Sequence, residues 1–324
     1  MAHENEASPA DFDGYGTIYH PKGLSAAPSH LRANHQNAYP FRGRIEPRGE
    51  FPPEAGRYHL YVSYACPFAH RTLIVRALKG LEDAVSVSVL DPIRDGRGWA
   101  FRNGSGQTLD TAGNGFTFLS QAYEASSTGY EGRVSVPVLW DKVRKTVVSN
   151  YYPTITIDLG AQFNQWATHP GLDLYPEPLR REIDELNDFV AYGINEGVYR
   201  AGFADSQAAY DTAVEEVFAA LDTLEKRLSD GRPCLFGEHL RETDIRLWVT
   251  LVRFDLVYFS HFKVNLRQLR DYPFLWAYAR RLYTREAFAS TTNFDHIKRH
   301  YFGTQLFINP RGIVPRGPLQ DWHI

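Results

Sequence analysis

Apolar and polar positions change rhythm several times along the chain, and each rhythm predicts an element. Tyr58, Leu60 and Val62 alternate with His59, Tyr61 and Ser63, the period of a strand. Residues 67–79, PFAHRTLIVRALK, place Leu73, Ile74, Val75 and Leu78 as a helix would, and Pro67 suits a first turn that needs no amide donor. VSVSVLDP, 85–92, alternates again. The βαβ order predicts parallel pairing with a right-handed crossover. Residues 93–130, rich in Gly, Ser, Thr and Asn, read as a long insertion. SVPVLWD (135–141) and KTVVS (145–149) predict two more strands joined by a tight turn. Pro137 cannot donate to a central ladder, so it marks an edge, a bulge or a cis bond. A short helix near 153–165 completes a β-α-β-β-α unit.

From about residue 175 the period becomes helical. Leu179, Ile183, Leu186 and Val190 recur at that spacing, as do Tyr210, Val214, Val217, Leu221, Leu224 and Leu228. DIRLWVTLVRFDLVYF, 244–259, is apolar almost all round and predicts a buried helix. The fold class is therefore α/β plus all-α. The predicted divisions are an extended arm over 1–50, a first domain over 51–168, a helical domain over 175–290 and a strap over 291–324, whose Pro-containing tail is irregular. THPGLDLYPEP forms the boundary between the two main domains.

Length and charge narrow the function classes. At 324 residues the chain can build two domains with a large core. A net charge of -3 gives no footprint for nucleic acid, and no apolar run can span a bilayer, so neither partner is expected. The stretch MAHENEASPADFDGYG is acidic and polar, unlike a secretory signal. Two distant cysteines make no disulfide framework, and the expected compartment is a reducing cytoplasm.

Cys66, in SYACPFAHR, lies at the end of a predicted strand and before a predicted helix. Free amide groups and the helix dipole favour an anion there, which predicts a lowered thiol pKa. The position three residues on is Ala69, so no local thiol can resolve a disulfide and an external thiol is needed. The bland alternative is a buried apolar cysteine. Cys234, in RPCLFGEHL, lacks a helix-start context and reads as structural. His70 is disfavoured as a cation in a first helical turn and reads as a packing or locally bonded residue. No H-x-x-H, H-E-x-x-H or paired C-x-x-C occurs, so no metal site is expected.

Five motifs then carry a resemblance: YVSYACPFAHRTLI, GRVSVPVLWD, NEGVYRAGFA, TLVRFDLVYFSHFKVNLR and NFDHIKRHYFGTQLFINPRGIVPRGP. Over residues 40–318 the chain resembles the glutathionyl-hydroquinone reductases, the Xi class of glutathione transferases. The resemblance implies a thioredoxin-like N-terminal domain, a C-terminal helical glutathione-transferase domain and a homodimer. It also implies removal of a glutathionyl group from a conjugated hydroquinone through a mixed disulfide on Cys66. By motif, Tyr199, Tyr258 and Tyr301 line the aromatic site and supply protons. Trp99, Arg133 and the backbone of Val136, before an expected cis bond to Pro137, hold the thiol. Read without the resemblance, the three tyrosines are core aromatics with satisfied hydroxyls.

The chain departs from the family at three places. Cys-Pro-Phe replaces Cys-Pro-Trp. Arg241 occupies the cap position three residues before Asp244, where a Ser or Thr is usual, so Asp244 is expected to hold the helix start alone. After VVSN the family carries Glu-Ser, and this chain carries Tyr151-Tyr152-Pro153. Two rings suit a sugar-like or uncharged arm, so the expected thiol is glutathione or another small thiol such as mycothiol. The competing readings are a transferase that conjugates a thiol to an electrophile, against which a protein cysteine at that spot argues, and a non-catalytic binding scaffold.

Overall fold

The computed structural model describes residues 39–319 and 321–322. The arm predicted over 1–50 is therefore described only from Tyr39. That part lies on the body: Gly43 N donates to the Val148 carbonyl at 2.8 Å, and Arg44 pairs with the buried Asp158 at 2.5 Å.

Four strands form one sheet. They are β1 (Tyr58–Val62), β2 (Val85–Val89), β3 (Val138–Asp141) and β4 (Thr146–Ser149), in the order β2-β1-β3-β4. β1 pairs parallel with β2 and antiparallel with β3, which pairs antiparallel with β4. The parallel pair is joined by α1 (Pro67–Lys79), whose bounds match the predicted helix. Gly80 ends it in the left-handed conformation, φ 63°, that glycine adopts without a Cβ penalty. Pro137 precedes β3 and follows a cis peptide bond. The predicted strand at 135–141 thus starts only at Val138.

The alternation in β1 does not separate core from water, because all five residues are buried. The polar side is covered by the 93–130 insertion, which contains the short helix α2 (Ser120–Ser126). Tyr61 donates to Asp110 at 3.1 Å, and its ring packs on Phe101. The helix expected near 153–165 is α3 (Tyr152–Gln162).

The helical half contains α4 (Arg180–Val190), α5 (Gly197–Gly202), α6 (Gln207–Leu228), α7 (Glu242–Arg253), α8 (Pro273–Tyr283), α9 (Glu286–Ala289) and α10 (Phe294–Thr304). All of α7 is buried, as its apolar run predicts. Asp244 carries its start, as expected without a Ser or Thr cap: it accepts from Arg241 N, Leu235 N and the Tyr278 hydroxyl. Residues 294–304 of the predicted strap are helical, and residues 312–319 are irregular. No helix among the described residues is long and apolar enough to cross a membrane.

The two halves meet across α1 and α7. Arg71 donates to Asn195, which donates in turn to the Arg246 carbonyl and to Thr250. Beside them Arg246 pairs with Glu242, which also accepts from Thr156 of α3 and Asn187 of α4.

Candidate active site

Cys66 is the residue before α1, half-buried at the seam between the halves. Its Sγ–H donates to the Val136 carbonyl at 3.6 Å, across the loop that ends in the cis bond. Burial pushes the thiol up. The amides of Phe68 and Ala69 and the charges of Arg253 and Arg133 pull it down, and burial wins. The helix start acts in the expected direction, but the expected net lowering is corrected, because desolvation outweighs it. Cys234 is fully buried, bridges to Gly237 and is pushed up to about 12 by burial and then Asp244. Its structural reading fits that setting.

The three tyrosines named in the sequence come together. Tyr199 lies on α5, Tyr301 on α10, and Tyr258 closes the turn after α7. The Tyr301 hydroxyl bonds that of Tyr199 closely and that of Tyr258 at 3.1 Å. Burial raises both Tyr258 and Tyr301, so each is a neutral phenol. Of the three, Tyr258 feels the charge of an ionised Cys66, which would raise it further. Phe68, two residues after Cys66, stacks toward Tyr199 at 6.4 Å. Two i→i+5 turns prepare this arrangement. Glu196 N reaches the Ala191 carbonyl just before α5, and Phe259 N reaches the Phe254 carbonyl after α7. Such turns recur at functional sites because the extra residue re-aims side chains.

The predicted thiol-binding residues divide. Arg133 has a buried Nη1 without a partner and lies over the Tyr39 ring at 5.7 Å. Val136 faces Cys66 through its carbonyl. Tyr151 is half-buried at the start of α3, under the Arg42 guanidinium at 4.2 Å. Tyr152 is 3% exposed; its ring stacks on Phe68 at 4.4 Å and meets Tyr39 edge-on at 5.5 Å. The reading of Tyr152 as an open platform for a sugar is corrected, because its faces are filled by the core. Trp99 is also buried, stacked on His300 at 5.1 Å. His300 donates from Nδ1 to the Pro92 carbonyl at 2.7 Å, and burial lowers its pKa to about 3.

Sequence reasoning missed Tyr39, Arg253 and His300. Arg253 sat inside a run read only as a buried helix, and nothing in that period marks a buried arginine. His70 packs, as one of the two readings had it, with its ring edge-on to Trp248 at 5.6 Å, but its hydrogen bonds are not local and reach Arg253 and Thr291 in the other half.

This geometry has parallels among known proteins. Residues 65–151 match the glutathione S-transferase N-terminal domain model and 207–281 the C-terminal domain model. Glutathionyl-hydroquinone reductase PcpF of Sphingobium chlorophenolicum is 46% identical over 280 residues, 86% of this chain and 88% of that protein. The Escherichia coli glutathionyl-hydroquinone reductase YqjG is 49% identical over 274 residues, 84% of this chain and 83% of that protein. The chain belongs to the Xi-class glutathione transferases. A Xi-class structure from Natrialba magadii superposes with a TM-score of 0.85 at 45% identity, covering 88% of this chain and 89% of that one. The thioredoxin-like and helical halves are thus those of this class, and the protein is an enzyme of the glutathione transferase superfamily. The glutathione-bound structure of YqjG, a glutathione transferase homolog from Escherichia coli, superposes with a TM-score of 0.84 at 45% identity over 87% of this chain and 94% of that one.

Proposed function

We propose that this Xi-class enzyme reductively removes the thiol from thiol-conjugated hydroquinones, with Cys66 as nucleophile. The observation that carries the reading is a half-buried cysteine directly before α1, with Phe68 of the same turn stacked toward a hydrogen-bonded trio of tyrosines from the helical half. The names of the relatives supply the substrate class.

The Cys66 thiolate attacks the sulfur of the conjugate. The carbon–sulfur bond breaks, its electron pair passes to the ring carbon, and a phenolic proton from the trio leaves a free hydroquinone. Cys66 now holds the thiol as a mixed disulfide. A second thiol attacks that bond as its thiolate, releasing the disulfide of the small thiol and the Cys66 thiolate. The proton it gave up restores the phenol. Two small thiols are oxidised and one ring carbon is reduced.

Glutathione is the first reading for the thiol, on the relatives' names. Arg133 Nη1, buried and unpartnered, fits a carbonyl or carboxylate of its tail. The Val136 backbone suits a peptide-like segment. A second reading, mycothiol, rests on the start of α3. Its first turn has no acidic residue, and Arg42 lies over Tyr151. A γ-glutamyl ammonium group meets a cation there, whereas a sugar could lie along the exposed part of Tyr151. Incubation with each thiol disulfide, followed by the mass of the Cys66 peptide, separates them. Equal uptake of glutathione removes the mycothiol reading, and no adduct from either removes the nucleophile. The homodimer implied by the class is checked by sedimentation velocity.

A further inference from the structure

One buried charge beside the active site has no part in the steps above. Arg253 is fully buried at the end of α7. Its Nε donates to the Ala65 carbonyl at 3.1 Å and its Nη2 to the Tyr64 carbonyl at 2.8 Å. Its Nη1 donates to the Val249 carbonyl at 2.6 Å and to His70 Nδ1 at 3.2 Å. All four partners are neutral. A desolvated cation held only by neutral acceptors is costly, and the cost is relieved when an anion forms nearby.

The clamp is directional. Arginine carries only donors, so His70 Nδ1 must be the acceptor and the ring proton sits on Nε2. Nε2 donates to Thr291 at 3.0 Å, and Thr291 passes its own proton to the Ala287 carbonyl at 2.7 Å. Burial and the Arg253 charge both hold His70 neutral. His70 is therefore no base toward Cys66.

The guanidinium also reaches the loop that leads into α1. It grips the two carbonyls that immediately precede Cys66, and its charge favours ionised Cys66, Tyr258 and Tyr301 alike. We propose that Arg253 is a positioning residue whose fixed charge, clamped by His70, balances the thiolate of Cys66 in one step and the phenolate of the tyrosine trio in the next. Negative charge then moves from sulfur to phenol and back beside one stationary cation from the other half of the molecule. The proposal rests on Cys66 being the nucleophile.

The rate at which iodoacetamide alkylates Cys66 between pH 7 and 10, read on the Cys66 peptide without any substrate, tests it. The other groups acting on Cys66 are Arg133 before β3, Tyr39 from the arm and Tyr258 after α7, and on Arg253 they are His70, Tyr258, Tyr301 and His300. All stay in place in each variant except where named. Arg253→Gln keeps amide donors but loses the charge, and alkylation at pH 8 is expected to slow about tenfold as the profile moves to higher pH. Arg253→Lys keeps the charge and slows it less. His70→Leu strips one acceptor and gives a smaller fall, and His70→Asn, which restores an oxygen near the Nδ1 position, returns it toward the wild-type rate. An unmoved profile in Arg253→Gln, or in His70→Leu should Arg253→Gln not fold, overturns the proposal. Failure of the nucleophile reading shows separately, as full dethiolation activity in Cys66→Ala.

Discussion

At the scale of single residues, the two cysteines show what position does to one side chain. Cys66 borders a seam and Cys234 lies inside a core, bridged to Gly237 and pushed up to about 12. Iodoacetamide is therefore expected to label the folded protein once, at Cys66, and peptide mapping that finds Cys234 labelled first counts against this picture. Because burial raises Cys66 above the ordinary thiol value, its labelling rate should still be climbing between pH 7 and 9. A plateau below pH 7 would mean that the amides and cations outweigh desolvation after all. Cys66→Ala should lower dethiolation at least a hundredfold, the order expected for loss of a nucleophile or its acid–base partner. Tyr301 bonds both other members of the phenol trio, and Tyr301→Phe takes one hydrogen bond from each of two buried hydroxyls. About 1–3 kcal/mol of stability should go with it, together with much of kcat, as read by urea titration and steady-state rates. The candidacy of Cys66 was legible from strand–Cys–Pro–helix. Its protonation was not, because sequence shows which groups favour an anion but not how much water is excluded.

At the scale of elements, α1, α3, α4, α6 and α7 followed from the pattern along the chain, and the bounds of α1 were legible to the residue, whereas α2 and α10 lie in segments read as an insertion and a strap. The two i→i+5 turns were not legible. They insert one residue each into otherwise helical runs, at Ala191–Asn195 and Phe254–Tyr258, and no periodicity marks them. Close packing holds what they aim. A Cβ at Gly202 would overlap the Phe262 ring, which packs against Tyr199 at 5.2 Å and Tyr258 at 5.5 Å. Gly202→Ala is expected to cost about 1–3 kcal/mol through overpacking and to slow dethiolation while Cys66 alkylation stays unchanged. The start of α7 makes a pH prediction. Burial raises Asp244 to about 6, above its unfolded value. The folded state therefore binds a proton more tightly. The stability this group contributes is fully present below about pH 4 and is lost as pH rises through about 6. Asp244→Asn cannot titrate, so the stability gap between wild type and variant should shrink from pH 4 to pH 7 in denaturant titrations; a constant gap would show that the carboxyl is already ionised.

At the scale of the whole molecule, the active site exists because the halves are locked together by polar groups at their seam. Glu242 and Arg246 of α7 gather Thr156 and Asn187 from two other helices, and all four groups lie in the interior. Removing one partner leaves the other charged and dry, so Glu242→Ala should cost about 3–5 kcal/mol, measured by chemical unfolding. The C-terminal helix is seated in the same manner. His296 Nε2 donates to the Ser105 carbonyl at 2.7 Å within the 93–130 insertion and His300 Nδ1 to that of Pro92 just before it, so this segment seats the helix that carries Tyr301.

The sequence by itself determined the two-part architecture, the four strands with the helix between the first two, the family and the candidate cysteine, because each depends on local period, local turn chemistry or contiguous motif. Only the tertiary structure decided that Tyr152 is core, that the Cys66 thiol is raised, and that His70 clamps Arg253 rather than serving as a base. Burial and long-range electrostatics set these three, and both depend on which segments meet across the seam between thiol domain and helical domain.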